Sequence, residues 1–453
     1  MIKTTTLTRD EILEKPEAVT FAQAFRLWLK LGFIGFGGPA GQISLMHREL
    51  VEQRRWISET RFLHALNYCM LLPGPEGQQM ATYMGWLLHR TRGGIAAGVL
   101  FVLPSLFFLI FLSWIYIAFG HQPLVAGLFY GIKPAITAVV VHAVHRIGSR
   151  ALRNGVMWAI AAAAFVAIFA MNVPFPVIVA TAALIGYIGS RLAPHTFTIG
   201  GGHAQANKSF GPALIDDDTP TPEHAVFHWS GLVRVALAGA VLWLVPMVLL
   251  TIFFGWQHTL TQMGWFFTKA ALLTFGGAYA VLPYIYQGAV GYYDWLTPAQ
   301  MIDGLALGEA NPGPLIMVVA FIGFVGAYVQ ALFGPDLVFV AGAVGAVLVT
   351  WFTFLPSFIF ILAGGPFVES THGNLKFTAP LTAITAAVVG VILNLAVFFA
   401  YHVLWPSGLT GAFDWVSALI AIAAAVALFA YKRNVIHVIA ACAVMGLILK
   451  TLI

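Results

Sequence analysis

The sequence predicts an all-α polytopic membrane protein, and its composition is the first reason. Of the 453 residues, 60% are hydrophobic and only 9% are charged, and the mean hydropathy is +0.86. A soluble globular domain carries about 25% charged residues, so the composition excludes one. The apolar runs are roughly 18 to 28 residues long, which fits helices that cross a bilayer, whereas transmembrane β-strands alternate over about 10 residues.

An internal repeat is the second reason. The stretches "LKLGFIGFGG" (29–38) and "TKAALLTFGG" (268–277) match with an offset of 239 residues (268 minus 29). The same offset places the "PGP" of residues 73–75 over the "PGP" of residues 312–314 without a gap. An "LPS" motif follows in each half, after 13 additional residues in the second. Agreement of rare residues in one register predicts a duplicated membrane unit.

Thirteen apolar segments divide between the two copies, six in each, with one unpaired segment between them. They are centred near residues 34, 74, 106, 135, 162, 183, 243, 273, 315, 350, 390, 422 and 443. The predicted organisation is a cytoplasmic N-terminal tail (1–20), a first repeat (21–192), a polar linker (193–230), a connecting transmembrane helix (231–255) and a second, inverted repeat (256–453).

The polar linker is predicted to be a flexible surface loop, because it is rich in glycine, proline and aspartate. Its His224 and His228, together with Asp216 to Asp218, have the chemistry of a metal site. A solvated linker is the simpler interpretation. We therefore predict no metal site.

Positively charged residues predict the topology, because loops rich in lysine and arginine stay cytoplasmic. The arginine clusters at 48–61, 90–92 and 146–153 are predicted to be cytoplasmic. Four turns without lysine or arginine are predicted to be external, namely 120–123, 172–174, 255–264 and 402–413. Two full crossings by the first two segments would place the loop 48–61 outside. The conflict disappears if both segments are re-entrant and turn at "FGFGGP" and "LLPGPEG", where the sequence supplies helix breakers.

With re-entrant segments the first repeat has four full crossings, so the connecting helix makes the second repeat run upside down. The N-terminus is then cytoplasmic and the C-terminus periplasmic. Thirteen full crossings would also give inverted halves, so the inversion does not depend on the number of spans.

The glycine and proline breaks are the predicted substrate site. The N-terminus of a half-helix presents free N–H groups and about half a positive charge, which favours an anion. Lys30 and Lys269 lie seven residues before Gly37 and Gly276, two helical turns or about 10 Å along the axis. A symmetric pair of lysines suits a divalent anion, although snorkelling to the membrane interface is the alternative for each.

The predicted substrate-binding residues are the two lysines, the glycine pairs, the two "PGP" motifs and three neutral amides. They are Lys30, Gly37, Gly38, Pro73, Gly74, Pro75, Gln78, Gln79, Lys269, Gly276, Gly277, Asn311, Pro312, Gly313 and Pro314. Two carboxylates beside the proline breaks, Glu76 and Glu309, are candidates for coupling to a proton or cation. The alternative for each carboxylate is a hydrogen bond to free N–H groups at its break.

Longer motifs carry a family resemblance. "FGFGGPAGQISLMHRELVEQRRWIS", "LNYCMLLPGPEGQQMATYMGWLLH" and "GVLFVLPS" in the first half, with "LTFGGAYAVLPYI" and "ANPGP" in the second, resemble the signatures of the chromate ion transporter family. The chain looks like the long, two-domain bacterial type. The resemblance implies a multi-pass protein of the bacterial inner membrane that exports chromate, with sulfate as a competitor. Apart from the resemblance, the expected partners are the lipid bilayer and a second copy in a homodimer, and we predict no nucleic acid and no cofactor.

The export of a dianion fits this chain physically. An inside-negative potential favours outward movement of two negative charges by about 4.6 kcal/mol per 100 mV. The sequence contains no GxxxxGK[ST] phosphate loop, so a secondary transporter driven by the potential is expected, with proton coupling as a further expectation.

Three alternatives remain open at this point. The substrate can be sulfate or another oxyanion, or the protein can be a passive anion channel. A membrane enzyme would need a cofactor motif or a nucleophile with its base, and only Cys69 with His64 offers one. We therefore predict that the protein is not an enzyme.

Overall fold

The fold is all-α, as predicted. The computed structural model describes residues 15–193, 196–197, 210–220, 222–371 and 378–452, so most of the predicted N-terminal tail lies outside the described residues. Within these ranges the only β-type pairing is an isolated bridge between Ile57 and Ile215. Six helices of the described part are long and apolar enough to cross a membrane, and four apolar helices are shorter.

The first half contains seven helices and one π-helix. They are α1 (Phe21–Ile34), α2 (Gly38–His47), the π-helix Arg48–Gln53, α3 (Glu59–Leu71), α4 (Glu76–Phe119), α5 (Pro123–Ala151), α6 (Gly155–Phe169) and α7 (Phe175–Leu192).

Helix α8 (Trp229–Phe254) connects the halves, and the second half repeats the pattern of the first. Its elements are α9 (Thr259–Leu272), α10 (Ala278–Tyr286), the π-helix Gln287–Tyr292, α11 (Pro298–Ala310), the short 3-10 helix Leu315–Met317, α12 (Val318–Val329), α13 (Val338–Thr371), α14 (Thr378–Leu404), α15 (Trp415–Phe429) and α16 (Val435–Leu452).

The two halves match element by element at their starts. Helices α1 and α9 both have 14 residues, α3 and α11 both have 13, and the two π-helices both have 6. Helix α1 stops before the first "FGG" and α9 stops before the second, while α3 and α11 stop before "PGP". The predicted helix breaks therefore lie where the glycine and proline motifs are.

The long helix α4 consists of two arms that fold against each other. His89 and Arg90 have non-helical backbone angles, and Arg90 has a positive φ of 56°. Gly85 packs against Gly93, and Gly98 packs against Thr82, so the arms before and after this turn are antiparallel. The arm Glu76–Leu88 therefore returns toward the start of α3 before the second arm begins.

Several contacts place the outer ends of the first two hairpins on one face. The His89 ring nitrogen Nε2 lies 2.9 Å from the Val19 carbonyl oxygen, which precedes α1. Arg61, in the first turn of α3, and Tyr83, in the first arm of α4, both bond the carboxylate of Glu369. The chain thus enters this face, turns at each break and comes back to it.

Part of the polar linker is docked on this face. The Ile215 N–H donates to the Trp56 carbonyl at 3.0 Å, and the Ser58 hydroxyl donates to Asp217 Oδ1 at 2.6 Å. Ile215 and Ala225 are buried. The expectation of a solvated loop is therefore wrong for this segment, because its apolar side chains cover the hairpin ends. Among the described residues no group of His, Cys, Asp and Glu is arranged to hold a metal ion.

The exposed surface of α8 is apolar. Leu237, Ile252 and Phe253 are each more than 60% exposed. Exposed apolar area costs about 25 cal/mol per Å² in water, so this surface is suited to lipid. Two buried clusters lie inside. One joins α1 to α4 with part of α13, and the other joins the second arm of α4 and α5 to α8 with the second half.

Candidate functional site

Two reciprocal backbone hydrogen bonds join the four breaks in two pairs. The Gly74 N–H in the first "PGP" donates to the Thr274 carbonyl before the second "GG" at 2.8 Å. The Gly313 N–H in the second "PGP" donates to the Gly35 carbonyl before the first "GG" at 3.0 Å. The repeat offset of 239 residues relates the two bonds (313 minus 74, 274 minus 35). Each half therefore supplies its proline break to the glycine break of the other half.

The glycine of each "PGP" is required by its conformation and by its neighbours. Gly74 and Gly313 have φ of +130° and +120°, a region that residues with a Cβ rarely adopt. A Cβ on Gly313 would lie 2.7 Å from the Ser105 Cβ, and one on Gly74 would collide with the Ser357 hydroxyl. Ser105 and Ser357 belong to the "LPS" motifs, so each proline break packs against the "LPS" serine of the opposite half.

Buried amide side chains surround the breaks. Gln79 Nε2 donates to the Pro73 carbonyl at 2.8 Å, and Asn311 Nδ2 donates to the Ser105 hydroxyl oxygen. Gln78 Nε2 donates to the hydroxyl of Thr82. The three amides are nearly inaccessible, and the side-chain oxygen of each has no hydrogen-bond partner. Buried polar atoms without partners are rare in proteins, which marks this region as a site for a further polar group.

Each helix that begins at a break lacks a side-chain cap. This applies to α2, to α4, to α10 and to the 3-10 helix that precedes α12. Their N-cap residues are Gly37, Pro75, Gly277 and Pro314, and the last three are buried. The first N–H groups of these helices have no partner within the helix. They are therefore available to an anion.

The two predicted lysines lie in separate surroundings. Lys30 Nζ pairs with Glu49 Oε1 at 2.5 Å, and Arg54 Nε lies 3.3 Å from the other oxygen of Glu49. Lys269 lies 5.5 Å above the Trp265 ring, in a cavity of about 530 Å³ lined by second-half residues from the 256–330 region. In this conformation each lysine contacts its own half, and the structure does not bring the two together.

The two predicted coupling carboxylates flank the proline breaks. Glu76 is the first residue of α4, where a negative charge is favoured by the helix dipole. Glu309 lies two residues before Asn311 and accepts a hydrogen bond from the Tyr279 hydroxyl. The guanidinium of Arg146 lies 5.9 Å from the centre of the Tyr279 ring. A cation from the first half thus lies near the second-half break.

Several residues of this site were missed by the sequence reasoning. Gln42 Nε2 donates to the Gly35 carbonyl at 3.0 Å, and its side chain lies against Gly77 in the first turn of α4. Ser105 and Ser357 were visible as parts of a repeated motif, and their recurrence was the signal that could have found them. Arg146 was assigned only to a cytoplasmic loop, because its partner Tyr279 is distant in sequence.

Comparison with known proteins gives one family for both halves. The model of the "Chromate transporter" family matches residues 22–187 and 261–447. A "Chromate transport protein" of Pseudomonas aeruginosa is 33% identical over 380 residues, which cover 83% of this chain and 80% of that protein. A "Chromate transport protein" of Cupriavidus metallidurans is 29% identical over 385 residues, covering 84% and 83%.

A shorter relative aligns with only part of the chain. The "Uncharacterized transporter YwrB" of Bacillus subtilis is 30% identical over 126 residues, which cover 28% of this chain and 64% of that protein. No solved structure matches the chain. The family match spans both sets of breaks, and members of this family are transport proteins, not enzymes. The chain belongs to the chromate transporter family.

Proposed function

We propose that this protein exports chromate across the bacterial inner membrane as a secondary transporter, and that the anion binds where the four breaks meet. One observation carries the site: four helix starts without side-chain caps converge on two reciprocal hydrogen bonds between the halves. The family and the names of the relatives support chromate as the substrate.

The chemistry of the site suits a tetrahedral dianion. Chromate presents four oxygens that accept hydrogen bonds, and four helix N-termini offer N–H donors with a favourable dipole. Gln79 and Asn311 add amide donors, but protein oxygens hold these donors in this conformation. Anion binding therefore exchanges the Pro73 and Ser105 partners for chromate oxygens. Because the bond from Asn311 to Ser105 joins the two halves, its exchange also gives the anion a way to loosen a contact between them.

The two lysines have separate tasks in this proposal. Lys30 and Lys269 occupy equivalent repeat positions, and inverted halves place them on opposite sides of the membrane. Each attracts the dianion toward the breaks from its own side. The side chain of Lys30 is 50% exposed, and Lys269 lines an open polar cavity, so both are accessible to an approaching anion.

The orientation follows from the positive-inside rule. The face that holds Arg55, Arg61 and the docked linker is the cytoplasmic face, and the N-terminus lies on the same side. The even number of crossings in each half, with α8 between them, places the C-terminus in the periplasm. We further propose that the protein forms a homodimer and that apolar side chains exposed near the breaks, such as Phe33 and Phe107, lie in its interface.

Glu76 and Glu309 adjust the charge at the breaks. Glu76 directly follows the first proline motif and Glu309 lies three residues before the second, and a negative charge there repels a dianion. A proton bound to either carboxylate removes this repulsion. Their role in coupling therefore acts on substrate binding and release.

The test uses inverted membrane vesicles, in which an exporter moves chromate into the lumen. A potassium gradient with valinomycin makes the lumen positive, and we expect saturable chromate uptake that rises with this potential and is inhibited by sulfate. Vesicles without the protein are the control. Uptake of labelled sulfate at a higher rate than chromate would change the substrate, and uptake that does not saturate would indicate a channel.

A further inference from the structure

A carboxylate outside the breaks is the least solvent-exposed charged group that the structure describes. Asp303 on α11 is 2% exposed. Its Oδ2 accepts a hydrogen bond from the Tyr116 hydroxyl at 2.8 Å and lies 3.3 Å from Lys133 Nζ. Its Oδ1 has no partner. An ionisable residue inside a membrane segment is costly, so a pair of this kind calls for a functional reason.

This ion pair joins the two halves. Lys133 is on α5 and Tyr116 is at the end of α4, both in the first half, while Asp303 belongs to the second half. Asp303 lies eight residues before Asn311 on one continuous helix, a separation of about 12 Å. A change in the ion pair can therefore move the second proline break through a single rigid element.

Lys133 and Tyr116 are the charged and titratable groups that face Asp303. Helices α12, α14 and α16 also pack against α11. None of their titratable side chains contacts the carboxylate of Asp303 in the described structure. These side chains are Tyr328, Tyr401, His402, His437, Cys442 and Lys450. The negative charge of Asp303 is thus paired with the positive charge of Lys133 alone. Neutralisation of Asp303 leaves Lys133 without an ion-pair partner.

A second ion pair between the halves provides a contrast. Glu369 on α13 bonds Arg61 with one oxygen at 2.6 Å and the Tyr83 hydroxyl with the other at 2.5 Å. Each oxygen of Glu369 therefore accepts a hydrogen bond from a side chain. The unoccupied Oδ1 of Asp303 distinguishes the two sites.

We propose that Asp303 is the binding site of a proton that is exchanged for chromate during transport. The proton binds to Oδ1, neutralises the carboxylate and ends its attraction to Lys133. Helix α11 is then free to move relative to α4 and α5, which changes the access to the breaks. The return of the proton to the other solution restores the pair. This inference rests on the proposed function, which supplies the transported anion.

The experiment measures chromate accumulation in inverted vesicles with the potential held at zero and an acidic lumen. For one coupled proton, a gradient of one pH unit raises the accumulation ratio by about tenfold. We expect this increase in the wild type and none in Asp303→Asn, which keeps the shape of the side chain. Glu76 and Glu309 act on the binding and release of the anion and not on this ratio. Uptake driven by an imposed potential should continue in Asp303→Asn at a changed rate, because the neutral amide leaves α11 free to move as the protonated carboxyl does. Asp303→Glu, which keeps a carboxyl group, should retain the response to pH.

Glu369→Gln is the matched control, because it removes another buried ion pair between the halves and should keep the response to pH. A response of Asp303→Asn equal to that of the wild type would overturn the proposal. So would a wild type that responds to the potential and not to pH, although the proposed function would then stand. Absence of all chromate uptake by the wild type would reject the proposed function itself.

A second measurement does not depend on transport. Infrared spectra of the purified protein should show a protonated carboxyl band that grows as the pH is lowered. We expect one component of this band to be absent in Asp303→Asn and present in Glu369→Gln. An unchanged band in Asp303→Asn would contradict proton binding at this residue, even if that variant were inactive in vesicles.

Discussion

The helices of the four hairpins begin in two different ways. At the outer ends, α1, α3, α9 and α11 begin with the side-chain caps Thr20, Ser58, His258 and Thr297. At the inner ends, α2, α4, α10 and the 3-10 helix before α12 begin at glycine or proline without a side-chain cap. The chain therefore supplies a side-chain acceptor for the first N–H groups of its helices at the outer ends and supplies none at the breaks.

The uncapped inner starts lower the stability of the fold at the place where we propose that the anion binds. An N-terminal cap stabilises a helix by about 1 kcal/mol, and all four outer starts have one. Helices α5, α7 and α8 also lack a side-chain cap, but their N-cap residues Gln122, Pro174 and His228 are exposed. Three of the four inner starts are buried, where water cannot easily take the place of the cap. Free N–H groups at such positions fit the anion site that we propose.

The largest effect is expected from alanine at the glycine of a proline break. Gly313→Ala places a Cβ 2.7 Å from the Ser105 Cβ at a φ of +120°, so the break must move away from Gly35. We expect potential-driven chromate uptake to fall to the level of vesicles without the protein. Gly255→Ala is the control, because it has a φ of +86° but open space around the added Cβ. Equal losses in both variants would show that backbone strain alone is responsible.

An intermediate effect is expected from the amides at the breaks. Asn311→Leu removes a donor without removing volume, and a hydrogen bond to a charged group contributes about 1.5–3 kcal/mol. The concentration of chromate at half-saturation should rise by about tenfold to a hundredfold, which uptake across a concentration series measures. Gln300→Leu at the outer start of the same helix is the comparison. If the half-saturation concentration rose in Gln300→Leu and not in Asn311→Leu, the anion would bind at the outer end of α11 and not at the break.

A smaller effect is expected from the lysines. Lys30→Gln and Lys269→Gln each remove an accessible charge about 10 Å from a break, and exposed charge pairs contribute about 0–1 kcal/mol. Half-saturation should rise by about fivefold or less in each variant, and this difference should shrink in high salt because salt screens exposed charges. A salt-independent loss would place the lysine in direct contact with the bound anion instead.

The smallest effect on transport is expected from the outer caps. Thr297→Ala removes the cap of α11, and we expect the free energy of unfolding in detergent to fall by about 1 kcal/mol. Chromate uptake per folded protein should stay unchanged. If Thr297→Ala lost chromate uptake but kept its free energy of unfolding, the outer helix starts would act in transport as the inner ones do, and the distinction between them would fail.

The position of the breaks could be predicted from the sequence, because proline and glycine act on the local backbone. "PGP" and "FGG" end helices wherever they occur in such a context, and the predicted breaks agree with the ends of α1, α3, α9 and α11. The partners across the breaks could not be predicted from one half alone. The bond from Gly74 to Thr274 depends on how the two halves pack, and no local pattern specifies that.

Side-chain pairs that have no equivalent in the other half could not be predicted from the sequence either. Lys30 and Lys269 are equivalent in the repeat, but residue 49 is a glutamate and its counterpart, residue 288, is a glycine, so only Lys30 has a carboxylate partner. Lys133 and Asp303 lie far apart in sequence and belong to no repeated motif. Reasoning from equivalent positions therefore favours symmetric sites and overlooks pairs of this kind.

The central claim is that the breaks of both halves form one anion site, and the stoichiometry of chromate binding tests it most directly. Calorimetric titration of the purified protein in lipid nanodiscs should give a single chromate per chain. Gly74→Ala and Gly313→Ala should each abolish all of this binding, because each disrupts a hydrogen bond that joins the two halves. Two chromate ions per chain, with half of the binding left in each variant, would mean two independent sites and would contradict the account.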